Sequence, residues 1–220
     1  METIHESADL KVLYRRGGSR ETWVAFGAHT ARSPEADILF AHRPGSAIHF
    51  ISKTDDWYQT ADMTVAIKAA RKRLKGRVIT IGASMGGYAA VAFAADLGAK
   101  VVIAGSPQIS LDPQVDGRWA EAWSTLPQYK PDARVGLFGK PDVYALYDYS
   151  YREDADQVSL LPTSATRMRL PMAGHEVFRV LKDMGLLRSA IDAMADGDRA
   201  ALAHTEAAFA FEAPRRCWAR

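Results

Sequence analysis

Residues 78 to 87, Val78-Ile79-Thr80-Ile81-Gly82-Ala83-Ser84-Met85-Gly86-Gly87, carry an apolar, β-branched run straight into a small-residue helix. Few folds accommodate that junction. The Gly-x-Ser-x-Gly at the collision predicts a sharp strand-to-helix bend, with the serine hydroxyl projecting from the sheet instead of packing in it. Gly82 and Gly86 flank Ser84 because a strained bend leaves no room for a Cβ on either side. The helix that starts there turns its first N–H groups and its positive dipole end on the serine. Ser84 is therefore the candidate nucleophile; a tight turn around a buried serine is the other reading.

The composition suits one domain with a sizeable core: 220 residues, 48% hydrophobic and 25% charged. A net charge of +2 argues against nucleic acid as a partner. The basic run Arg71-Lys72-Arg73-Leu74-Lys75 ends a helical pattern, where cations suit the dipole. A single cysteine, Cys217, forms no internal disulfide. Met1–Glu6 carries acids and no apolar core of a leader, and no apolar run is long enough for a membrane span. These features predict a cytoplasmic protein.

Leu10–Tyr14 and Glu21–Phe26 read as strands joined in a hairpin, Ile38–His42 as a short apolar stretch and Ala47–Ser52 as a clearer strand. Asp62 is placed to cap a helix reaching about Lys75. Val78–Ile81, Lys100–Ala104, Ala133–Phe138 and Thr166–Leu170 read as further strands. Helices are expected near Gly87–Leu97, Asp116–Thr125, Glu153–Leu160 and Glu176–Met184, and from Leu186 to about Phe211 with a break near Gly197. The alternation implies a single α/β domain over residues 1–220: a mostly parallel sheet covered by helices on both faces, with an antiparallel hairpin at the N-terminal edge. Residues 106–131 form a lid-like insertion and 188–220 a helical C-terminal extension. The extension is either a dimer surface or a cover for the sheet.

In such sheets function gathers at the carboxyl ends of the strands. A serine needs a base, and the base needs a third group to hold its tautomer. His175 follows a strand and a glycine and opens a helix, so its ring can reach back over that edge. His49 and His204 fall inside elements, His5 lies near the terminus, and His29 and His42 sit in loops. The acid should follow the strand before that of the histidine. Asp142, four residues beyond Phe138, meets that condition, with Asp148 and Asp112 as rivals; capping a helix or ordering a turn would suit any of the three.

The order Ser84, Asp142, His175 resembles the nucleophile–acid–base order of the α/β-hydrolases, and the similarity spans roughly residues 10–187. The resemblance implies an oxyanion hole made by the backbone N–H groups of Met85 and, from the Gly27-Ala28-His29 loop, Ala28. A finer similarity rests on Gly82–Ala90, Ser106-Pro107-Gln108 and Asp56-Trp57-Tyr58. It points to a bacterial branch of small hydrolase-like proteins associated with glycan processing. Trp57 and Tyr58 follow a strand at the carboxyl edge, while Trp119 and Trp123 share a helix face. These four aromatics either line a substrate site or pack the insertion onto the domain. The expected activity is a serine esterase that forms an acyl-enzyme on a small ester, such as an acylated glycan, with no metal or organic cofactor. An acyltransferase with the same triad and a non-catalytic binding protein on this fold are the alternatives.

Overall fold

The computed structural model describes residues 1–34, 42–127 and 129–217. The strands are β1 (Glu2–Glu6), β2 (Leu10–Arg15), β3 (Gly18–Phe26), β4 (Gly45–Ser52), β5 (Arg77–Ala83), β6 (Val101–Gly105), β7 (Asp142–Tyr147) and β8 (Thr166–Arg169). They make one sheet in the order β1-β2-β4-β3-β5-β6-β7-β8. From β4 to β8 neighbouring strands are parallel, whereas β1, β2 and β4 pair antiparallel.

Period-two alternation along the central strands splits the core into two layers. On one face Val24, Phe26, Ile48, Phe50, Val102 and Ala145 pack against helices α1 (Met63–Arg71) and α2 (Met85–Ala92). On the other face Trp23, Ala25, Ile79, Ile81, Ile103 and Leu146 meet α6 (Val177–Asp183), α7 (Leu187–Asp196) and α8 (Arg199–Cys217). Every residue of α2 is buried, which its run of glycine and alanine allows. Between these elements lie α3 (Ala94–Leu97), the 3₁₀ turn Gly117–Trp119, α4 (Ala120–Thr125) and α5 (Arg152–Ser159). The C-terminal segment covers the sheet: Ala190, Ile191, Met194 and Phe209 are all fully buried against it.

Three expectations need correction. Leu10–Tyr14 and Glu21–Phe26 do not form a hairpin, because β4 lies between them; the edge hairpin is β1 with β2. The burial pattern explains this. Thr22–Phe26 is buried throughout and needs a neighbour on each side, supplied in parallel by β4 and β5, whereas β2 alternates between buried and half-buried residues. Asp62 does not cap α1 through its side chain, which instead accepts a hydrogen bond from the Ser7 hydroxyl at 2.6 Å and lies 2.9 Å from His5 Nε2. Ala133–Phe138 is not a strand: Ala133–Gly139 is a 3₁₀ segment, and the strand comes later, as β7. Of the stretch Ile38–His42, all but His42 lies outside the described residues.

The 3₁₀ segment is held close to α2 by Gly136, where an added Cβ would sit 1.8 Å from the carbonyl oxygen of Val91. Gly136→Ala should therefore push the segment off α2 and cost about 2–3 kcal/mol, a fall of about 5–10 °C in melting temperature. Thermal unfolding followed by circular dichroism checks this. An unchanged melting temperature would mean that the close approach does not exist.

Candidate active site

Ser84 occupies a conformation that non-glycine residues rarely take, φ 52° and ψ −121°. The bend is pinned on both sides: Ser84 N–H donates to the Gly105 carbonyl at 2.8 Å, and the Ser84 carbonyl accepts from Tyr88 N–H at 2.9 Å. Its two glycines are sterically required. A Cβ on Gly82 would lie 2.2 Å from the Gly86 oxygen, and one on Gly86 would lie 2.3 Å from the oxygen of Phe26. The second contact brings the start of α2 against the end of β3 and the Gly27 carbonyl, whose oxygen lies 3.0 Å from the same Cβ position. Met85 is the first residue of α2, where N–H groups have no carbonyl one turn back to bond.

The loop after β3 is tied down from the β4 side. The Tyr58 hydroxyl lies 3.0 Å from the Gly27 carbonyl oxygen and 3.1 Å from that of Phe50. Asp55 accepts from Thr30 N–H at 2.8 Å and pairs with Arg32, and that guanidinium holds the Asp55 carboxyl below its usual range.

His175 Nε2 stands 2.9 Å from Ser84 Oγ. On its other edge, Nδ1 lies 2.8 and 3.0 Å from the two carboxylate oxygens of Asp154. Asp154 sits in the first turn of α5, where the helix dipole favours a carboxylate, and is buried. The His175 loop is set by Asp148 at the end of β7, whose Oδ2 accepts from Gly174 N–H at 2.9 Å and whose Oδ1 takes the Ser150 hydroxyl at 2.6 Å. Gly174, at φ 61°, makes that turn possible.

Ser84 and His175 thus meet as the sequence predicts, and Asp142 does not join them. Asp142 is the exposed first residue of β7, in register with Val101 at the start of β6. Roughly 17 Å of strand separates it from the carboxyl end. The misplaced strand is the cause: it lies at 142–147 and not at 133–138, so the carboxylate that meets His175 comes after Tyr147. Asp112 is exposed and accepts from Gln114 N–H in a local turn.

Gln108 is a polar group that sequence reasoning assigned no role. It is fully buried on the loop after β6. Trp57 Nε1 donates to its Oε1 at 3.2 Å, which turns Nε2 toward Ser84 Oγ, 3.4 Å away. Trp57, Trp119 and Trp123 form one cluster, with ring centres 5.1 Å apart for Trp57–Trp119 and 5.7 Å for Trp57–Trp123. Trp57, Tyr58 and Trp123 are buried. They fasten the insertion to the loop after β4, and Tyr58 also ties down the loop after β3. Trp119 is only partly buried and lies 5.1 Å from the His29 ring. A separate cavity of about 460 Å³ lies on the α6–α7 side of the sheet and is bordered by Ala28, Ala83 and Glu176. Among the described residues no group of three potential ligands could hold a metal ion, and no helix is long and apolar enough to cross a membrane.

No protein-family profile matches the chain, and no curated protein matches it in sequence. Solved structures do match. The capsule O-acetyltransferase of Neisseria meningitidis serogroup A superposes with a TM-score of 0.59 at 12% identity, over 82% of this chain and 92% of that one. S-formylglutathione hydrolase from Staphylococcus aureus gives 0.56 at 15% identity, over 84% and 91%. A Xanthomonas campestris protein described as an α/β serine hydrolase without lid gives 0.52 at 17% identity, over 83% and 88%. The chain has the α/β-hydrolase fold.

Within that fold, Tyr58 holds the Gly27 carbonyl. Tyr58→Phe should leave the Gly27 and Phe50 carbonyls with one fewer donor and destabilise the protein by about 1–3 kcal/mol. Urea unfolding measures this directly. A variant as stable as the parent would show that the hydroxyl does not anchor the loop.

Proposed function

We propose that this protein is a serine hydrolase that cleaves a small ester through an acyl-enzyme, with Ser84, His175 and Asp154 as its triad. The observation that carries this reading is the chain of contacts Ser84 Oγ–His175 Nε2–Asp154, at 2.9 and 2.8 Å, behind a serine held in a strained bend.

Ser84 Oγ attacks the ester carbonyl carbon while His175 Nε2 takes its proton. The carbonyl π electrons move onto oxygen, where the N–H groups of Met85 and Ala28 receive the charge. The tetrahedral adduct then collapses. The carbon–oxygen bond to the leaving group breaks, and the departing alkoxide takes the proton from His175. Water repeats the sequence on the acyl-enzyme, releasing the acid and restoring Ser84. Asp154 holds Nδ1–H and balances the imidazolium formed in each half. The Gln108 amide, turned toward Ser84 by Trp57, adds a side-chain donor next to the reacting oxygen. None of these steps calls for a metal or an organic cofactor.

Transfer of the acyl group to a sugar hydroxyl is a second reading, favoured by the partly buried Trp119 and its neighbour His29, which offer aromatic surface for a sugar ring. One structural neighbour is itself a capsule O-acetyltransferase. Product analysis by mass spectrometry with acyl donors and candidate sugars separates the two, since products formed only by hydrolysis exclude transfer. An acylated glycan fits either reading as substrate.

Ser84→Ala should reduce cleavage of p-nitrophenyl acetate by about three orders of magnitude or more, and Asp154→Asn should come close to that loss, because the amide favours the wrong tautomer of His175. Asp142→Asn should retain the parental rate. Initial rates for the three variants, with folding checked by circular dichroism, decide the matter. Parental turnover in Ser84→Ala would refute the proposed chemistry, and loss of activity in Asp142→Asn alone would refute the choice of acid.

A further inference from the structure

The triad carboxylate has a second partner. Arg118, in the 3₁₀ turn of the 106–131 insertion, places Nη1 2.9 Å from Asp154 Oδ1. The same guanidinium meets Asp116, with Nη2 at 2.7 Å from Oδ2 and Nε at 3.0 Å from Oδ1. The Asp154 and Asp116 side chains are 1% and 0% exposed, and that of Arg118 is 19% exposed. Burial disfavours the Arg118 charge, but the bonds to Asp116 and the nearby Asp154 outweigh it and raise its pKa. Asp116 is further fixed by Arg118 N–H and by Gln157 Nε2. Its carboxyl is lowered despite burial, chiefly through Arg118. The guanidinium also lies over the Tyr151 ring, 5.4 Å from its centre, and that ring is 6.3 Å from the ring of His175.

We propose that Arg118 is a positioning residue that seats the insertion on the triad carboxylate and sets how readily His175 takes the serine proton. This inference rests on the triad reading above. Two carboxylates share one guanidinium, so the cluster carries two negative charges and one positive, a net −1. The imidazolium formed during attack brings it to zero. Without Arg118 the imidazolium would face a more negative cluster and would be held too tightly; without Asp116 it would face a more positive one. The groups around His175 are Asp154 and Tyr151 from the α5 region, Ser84 from the bend, and Asp148 through the Gly174 N–H. Its chain neighbour Glu176 lies 3.6 Å from Arg179 Nε. Arg118 is the cation bound to Asp154 among the described residues.

The signs follow from the charges. Loss of Arg118 favours the protonated imidazole, so the acid limb of the pH–rate profile should move to higher pH, by about one unit. Loss of the Asp116 charge leaves Arg118 more fully engaged with Asp154, and the acid limb should move the other way, by less. General loosening of the site cannot produce opposite shifts.

The probe is a fluorophosphonate, which Ser84 attacks at phosphorus with departure of fluoride. Second-order labelling rates are measured across about pH 5 to 9 for the parent protein and for Arg118→Met, Arg118→Lys and Asp116→Asn. The expected result is an upward shift for Arg118→Met, recovery toward the parental midpoint in Arg118→Lys, and a downward shift for Asp116→Asn. Unmoved midpoints, or shifts of one sign in Arg118→Met and Asp116→Asn, would overturn the proposal. If Arg118→Met does not fold, a downward shift in Asp116→Asn still supports it and an unmoved midpoint overturns it. Failure of the native parent to label at Ser84 would instead defeat the triad reading and this inference with it. Labelling at Ser84 with unmoved midpoints would defeat the role of Arg118 alone.

Discussion

The amino end of α2 lies so close to the end of β3 that Gly86 has no space for a side chain, a Cβ there falling 2.3 Å from the Phe26 carbonyl oxygen. That approach decides the geometry around it. With it goes the strained conformation of Ser84, two residues earlier. It also brings the Gly27-Ala28 loop alongside. The strain at Ser84 costs of order 1–3 kcal/mol and persists because the bend is held by Gly105, Tyr88 and a fully buried α2. The sheet serves this junction by placing β3, β5 and β6 side by side with their carboxyl ends level.

The insertion after β6 is fastened at three points. Trp123 is buried beneath Trp57, Gln157 bonds both Ile109 N–H and Ser110 N–H, and Arg118 reaches Asp154. A segment that hangs free from a sheet edge would leave those polar groups exposed or unpaired. Here Gln157 and Asp154 are fully buried and partnered and Arg118 is largely buried between two carboxylates, a costly arrangement unless these groups are satisfied. The insertion is therefore bound to the carboxylate that meets His175, and its path brings a cation to that group 36 residues further along the chain.

The sequence is most legible where the physics is local. The bend around Ser84 needs only the clash between a β-branched run, two glycines and a small-residue helix, all within ten residues. His175 is legible for a similar reason: Gly174 and the start of α6 place it at a strand end. The acid is different. Ala133–Phe138 has the apolar content of a strand, yet Gly136 lets it pack on α2 as a 3₁₀ segment, while Phe138 points to solvent. The aromatic run Asp-Val-Tyr-Ala-Leu-Tyr at β7, just after Pro141, was the signal that could have corrected the register. Even then, choosing Asp154 over Asp148 requires knowing how α5 returns across the edge. The pairing of β2 with β4 is hidden for the same reason, since chain order places β3 nearer. Nothing near Arg118 in sequence points to Asp154; only the folded insertion brings them together.

The imidazole that faces Ser84 is held from behind by Asp154. Proton NMR at low pH tests it directly, because an Nδ1 proton shared between an imidazolium and a buried carboxylate resonates far downfield of the amide region. Such a resonance is expected in the parent protein and in Asp142→Asn, and its loss in both His175→Ala and Asp154→Asn. A resonance that survives in Asp154→Asn, or one that disappears in Asp142→Asn, would contradict it.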